Sequence, residues 1–177
     1  MAKSTKAQIL QNFSELLKKH DLDKITVTML VSECEISRQT FYYHFNDIQA
    51  LINWGIQQYT AGCLENVKNA KDINEATMIY LTAMEEHHFY LEKCLASSLS
   101  GYTTLLIRKS ISEYIAFFGN KILGISSLEP ADSAFIIEFL ANAITGLILS
   151  SIYQQEEMDI KFISERIEKI ILGKFTN

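Results

Sequence analysis

The stretch Ser37-Arg38-Gln39-Thr40-Phe41-Tyr42-Tyr43-His44-Phe45 holds the densest chemistry in this 177-residue chain. Arg38 presents a planar fork of donors, Gln39 a donor beside an acceptor, and Thr40 a hydroxyl beside a methyl. Such side chains pair edge-on with flat hydrogen-bonding partners. Tyr42, Tyr43 and His44 add rings with polar tips between two phenylalanines. A buried strand, a ring-lined pocket or a helix read by something outside the protein would each gather aromatics in this way, and the neighbouring residues must decide among them.

A second candidate is Glu85-Glu86-His87-His88-Phe89. Glu85 and His88 are three apart and share a helix face, but no further histidine lies nearby in sequence, so a solvated or pocket-lining pair is expected rather than a metal site. The three cysteines, Cys34, Cys63 and Cys94, form no CxxC or CxxH spacing. Reduced thiols of a cytoplasmic protein are the simplest reading. Nucleophile-elbow, phosphate-loop and glycine fingerprints are missing, so no catalytic residue, metal or cofactor is expected.

The composition sets the frame for these residues. Hydrophobic residues make up 48% of the chain, with one proline and seven glycines. Turn residues this scarce favour long helices over a sheet protein. The opening MAKSTKAQILQNF is charged throughout, unlike a secretory signal. No run reaches the roughly 20 uninterrupted apolar residues of a membrane span, so no membrane partner is expected. Net charge is −5, yet residues 1–60 carry six Lys/Arg against six Asp/Glu. Any phosphate binding near the N-terminus must come from a few placed groups.

Helical periodicity then orders the chain. A first helix is expected from Ser4 to Lys19, with Ile9, Phe13, Leu16 and Leu17 inward. Thr26 can cap a short helix, Val27 to Glu33, and Ser37 can cap another, Arg38 to Phe45. A long helix follows from Ile48 towards Asn69. One apolar stripe is Leu81, Met84, His88, Leu91 and Leu95; another runs from Leu106 to Phe118. GISSLEPAD reads as the clearest loop. Ser133 to Tyr153 is apolar on most sides, and Asp159 caps a last helix that ends before Gly173. The expected fold is all-α.

Two short capped helices joined by a tight turn are a helix-turn-helix signature. KITVTMLVSECEISRQTFYYHFNDIQAL, Lys24 to Leu51, resembles the DNA-binding head of the TetR family of transcriptional regulators. RQTFYYHF followed by LINW is similar to the branch that includes regulators of dihydroxyacetone kinase operons. The resemblance implies a three-helix head over residues 1–47. A long helix joins it to a helical ligand-binding and dimerisation domain over 48–177.

A helix in the major groove offers its N-terminal side chains to base edges, which makes Arg38, Gln39 and Thr40 the natural readers. Ser37, Thr26 and Thr28 lie where helix starts can meet phosphates. The resemblance puts Tyr42, Tyr43 and His44 on or near phosphates and buries Phe41 and Phe45. Two positions depart from the family habit: Glu35 stands where a turn glycine is common, and Ile48 where a lysine is common. Lys3, Lys6 and Lys24 are candidates to compensate.

Further along, Tyr80, Met84, His88, Tyr102, Tyr114 and Phe118 are candidates to line a cavity, which in this family commonly holds an inducer. Ala143, Gly146, Leu147, Ser150, Ile163, Ile167 and Ile170 are candidates for a homodimer interface, because the last two helices carry more apolar surface than one chain buries. The expectation is a homodimeric repressor on a palindromic double-stranded DNA operator, answering to an unknown small-molecule effector. The alternatives are a helix-turn-helix activator, a regulator controlled by a protein partner, or an all-α small-molecule-binding protein or enzyme.

Overall fold

The computed structural model describes residues 4–174. Those residues form nine α-helices: α1 (Thr5–Lys19), α2 (Val27–Glu33), α3 (Arg38–His44), α4 (Ile48–Val67), α5 (Ile73–Glu86), α6 (His88–Leu95), α7 (Ser100–Leu123), α8 (Pro130–Gln154) and α9 (Ile160–Ile171). Two single 3-10 turns, Leu22–Lys24 and Ile125–Ser127, complete the described elements.

Short polar side chains start most of these helices. Ser4, Thr26, Ser37, Asp47, Asp72 and Asp159 each accept a backbone N–H from their helix's first turn, an interaction worth about 1 kcal/mol. Gly124, at φ 61°, ends α7 in the left-handed region where a side chain would be strained.

Two stretches differ from the periodicity. The 81–95 stripe is not one helix, because the chain breaks at His87 between α5 and α6. Leu81, Met84, Leu91 and Leu95 are buried on both sides of the break, so the stripe runs through it unchanged. Pro130 does not belong to a loop. It opens α8 at the first helical position, where its fixed φ suits the helix and its missing N–H costs nothing.

Two apolar cores result. The first joins α1, α2, α3 and the start of α4, and it is closed from the far side by Cys94 of α6 and Leu106 of α7. The second joins α4, α5, α7, α8 and α9 around Tyr80, Ile111 and Ile148. Helix α4 contributes to both, so it transmits position between them. By length and composition α8 is apolar enough to cross a membrane, with a hydropathy of 1.9 over its best window. That corrects the expectation drawn from uninterrupted runs, since a few polar residues do not lower the average enough.

Candidate nucleic-acid interface

The turn between α2 and α3 sets the geometry of the head. Glu35 takes φ 54°. Its N–H bonds the Ser32 carbonyl at 3.2 Å, and the Ile36 N–H bonds the Val31 carbonyl at 3.0 Å. This is the paired closure of a helix end that glycine normally serves. A glutamate there bears strain of about 1 kcal/mol.

Ser37 then starts α3. Its hydroxyl accepts the Thr40 N–H at 3.0 Å and lies 2.9 Å from the Thr40 hydroxyl. Helical spacing divides the residues that follow. Phe41 is fully buried and Phe45 nearly so, whereas Tyr42 is 54% and Tyr43 84% exposed. Ser37, Arg38 and Gln39 are exposed, and Thr40 and His44 are half-buried. Phe45 packs edge-on against Trp54 of α4 at 5.8 Å, which fixes α3 to the connecting helix. The outer face of α3 thus carries a guanidinium, an amide, two phenols and an imidazole with few apolar groups between them. Thr26 and Thr28, both exposed, stand at the start of α2.

Most cations of the head are already engaged. Lys18 pairs with Glu15, Lys19 with Glu33, and Lys24 with Asp21. The Lys24 and Lys93 ammonium groups hold the Asp21 carboxyl below its ordinary range. Lys6 instead lies over the rings of Phe45 and Trp54, 5.4 and 5.8 Å from their centroids. Lys3 is outside the described residues.

The six candidate cavity residues are not brought together on one wall. Tyr80 stacks on Tyr114 at 4.5 Å, and Tyr114 on Phe118 at 6.1 Å, all buried in the second core. Thr60 donates to the Ile56 carbonyl at 2.8 Å, so Ser110 must donate to Thr60 at 2.6 Å, and Tyr80 to Ser110 at 2.8 Å. This one-way chain ties α5 and α7 to α4. Burial pushes the Tyr114 phenol up to about 12. Tyr102 packs beside the head core, and His88 lies 3.8 Å from Glu85. Met84 alone of the six lines the best-formed cavity. That cavity, about 510 Å³, opens between α1 and α4 and is bounded by Phe13, Leu17, Ile56, Tyr59, Leu91 and Cys94 among others. His87, not His88, is the imidazole on its wall, with its ring 4.2 Å from that of Tyr59. Sequence gave no signal for this site, because the α1 residues have the spacing of head core. Among the described residues no group of three His, Cys, Asp or Glu comes together as a metal site.

The interface candidates also divide. Ala143, Gly146, Leu147, Ser150 and Ile170 are exposed. Ile167 is buried in the chain's own core, and Ile163 packs against that core. Beside the exposed set lie Phe135, Phe139 and Tyr153 on α8 and Phe162 on α9, each more than half exposed. The i, i+4 pair Phe135 and Phe139 was the available signal for them. Together they make an apolar stripe along α8 with small residues at its middle.

Comparison with known proteins agrees with this geometry. Residues 9–53 match the family described as bacterial regulatory proteins, tetR family. No curated protein matches the chain. Among solved structures, the fold is similar to the dihydroxyacetone kinase operon activator DhaS, with TM-score 0.71 and 17% identity, covering 96% of this chain and 95% of that one. It is also similar to the TetR family repressor AlkX of Dietzia sp. strain DQ12-45-1b, implicated in biodegradation of n-alkanes, with TM-score 0.62, 15% identity and coverage of 94% and 95%. A TerR/AcrR family transcriptional regulator from Aquifex aeolicus VF5 aligns at TM-score 0.60 and 21% identity, covering 97% of this chain and all of that one. A head of the tetR family, set on the all-helical frame that these regulators share, makes this chain a DNA-binding transcriptional regulator of that family.

Proposed function

We propose that this regulator is a cytoplasmic homodimer that represses transcription from a palindromic operator and is released by a small molecule. In this reading residues 1–47 grip DNA, and residues 48–177 hold the effector and the partner copy. The observation that carries the DNA site is the division of α3. Phe41 and Phe45 anchor the helix, while Arg38, Gln39, Tyr42 and Tyr43 project from it. Arg38 and Gln39 read base edges, Thr40 its methyl contact, and Ser37, Thr26, Thr28, Tyr42, Tyr43 and His44 the flanking phosphates. A partner's α8 and α9 laid on the Phe135–Tyr153 stripe form a four-helix bundle and set the two reading helices about one DNA turn, ~34–36 Å, apart.

The test is fluorescence anisotropy with duplexes flanking the protein's own gene. Saturable binding of two chains per duplex is expected, lost when Tyr42 and His44 are both changed to Ala with helical content intact. Binding that survives this change removes the site assignment. Leu147→Glu should yield monomers in analytical ultracentrifugation and weaken operator binding in step.

A second reading, activation, is favoured by the similarity to DhaS, described as an operon activator. Deleting the gene decides the sign: target transcripts rise if the protein represses and fall if it activates.

A further inference from the structure

We propose that the cavity between α1 and α4 binds a neutral, largely apolar small molecule, and that its occupancy sets the angle of the DNA-binding head on the body. The first half stands on the cavity itself, and the second rests on the regulator reading above.

At about 510 Å³ the space falls in the size range of small-molecule sites, roughly 300–1,000 Å³. Its inner surface is apolar: Phe13 and Leu17 from α1, Ile52 from α4, Met84 and Leu91 from the α5–α6 pair, Ile107 from α7, all buried. No Asp, Glu, Lys or Arg lines it, so an ionised ligand would lose its hydration with no counter-charge to replace it. The inner hydroxyls are committed. Ser14 donates to the Leu10 carbonyl at 3.0 Å, and Ser110 belongs to the chain from Tyr80 to Thr60. The exposed polar residues of the lining are Gln58 and His87. These features together select an uncharged apolar body with one hydrogen-bonding end at the mouth.

The location gives the coupling. A Cβ added at Gly55 of α4 would come within 2.9 Å of Leu10 Cδ1 on α1, so the head approaches the connecting helix closely at this point. On the far side of α1, the Asp23 carboxylate accepts the Ser98 N–H at 3.1 Å and the Ser98 hydroxyl at 2.7 Å, pinning the head to the α6–α7 connection. The cavity lies between pivot and pin. A molecule wedged there bears on α1 directly, without passing through the second core, and stabilises whichever head angle leaves it room.

The experiment uses the full chain and two fluorescent naphthalene probes: prodan, which is neutral with one carbonyl, and anilinonaphthalene sulfonate, which is anionic. Prodan should bind saturably at one per chain with a blue shift, and the sulfonate more weakly by about tenfold or more. Ser14→Phe, which fills the cavity, and Gln58→Trp, an exposed change that closes its mouth, should each weaken prodan by about tenfold. Saturating prodan should change operator affinity by about fivefold or more in the parent and not in these variants. Equal binding of the anion overturns the ligand class. Undiminished prodan binding by Gln58→Trp overturns the location. Prodan binding without any change in operator affinity overturns the coupling. Failure of the parent to bind any operator removes the regulator reading and leaves the ligand result in place.

Discussion

The Arg38 guanidinium donates to the Thr28 hydroxyl at 2.7 Å, joining the first turn of the reading helix to the helix before it. The contact holds a long, mobile side chain in one place before DNA arrives, which reduces the ordering cost of binding. Arg38→Ala should weaken operator binding by about 10- to 100-fold and relax preference at one base pair. Thr28→Val, which frees the arginine without removing it, should weaken binding by about two- to tenfold. Anisotropy against single-base operator variants separates the two. An Arg38→Ala protein with unchanged base preference would remove this residue from readout.

The two faces of α3 should respond oppositely. Tyr43→Ala, at a position that is 84% exposed, should leave the unfolding free energy within about 0.5 kcal/mol while weakening DNA binding. Phe41→Ala, at a fully buried position, should cost about 3–5 kcal/mol and loosen the head. Urea titrations beside binding curves give both quantities.

Glu35→Gly relieves the left-handed turn and removes an acid near the duplex. The expected gain is about 1 kcal/mol in stability, with tighter DNA binding. A loss of stability would show that the turn is not strained.

The hydroxyl chain through Ser110 is directional, so its members are unequal. Ser110→Ala leaves the Tyr80 O–H buried without an acceptor and should cost about 1–3 kcal/mol. Tyr80→Phe removes only the terminal donor and should cost less. Equal losses would contradict the assigned direction.

Burial raises the thiols of Cys34 and Cys63, and that of Cys94 to about 11. Native protein at pH 8 should therefore react slowly with a disulfide reagent, and rapidly once unfolded. Between pH 9 and 11 the unfolded chain loses these protons while the folded chain keeps them. Stability should fall with rising pH across that window and flatten above it. A fast-reacting native thiol would contradict the burial.

What the sequence disclosed and what it hid have physical causes. Thr26, Ser37 and Asp159 mark helix starts because a cap is a local interaction, written within four residues. The split of Phe41 and Phe45 from Tyr42 and Tyr43 is a matter of helical period alone. The His87 break was hidden because the apolar stripe continues through it. The cavity was hidden because it depends on how far α1 stands from α4, which no single helix encodes. Tyr80, Tyr114 and Phe118 have the composition of a ligand wall, but three rings on adjacent turns and helices can satisfy one another. Which side of α8 stays outside was not readable either, since a helix apolar all round has no marked face.

The pairing of Lys18, Lys19 and Lys24 with neighbouring carboxylates has a consequence for life in a changing cytoplasm. Each phosphate neutralised by a free cation releases condensed counterions and adds about 0.9 to the dependence of log affinity on log salt. A head whose lysines are already matched within the protein releases few. Its hold on an operator rests on hydrogen bonds and shape, and should drift little when osmotic stress raises internal potassium.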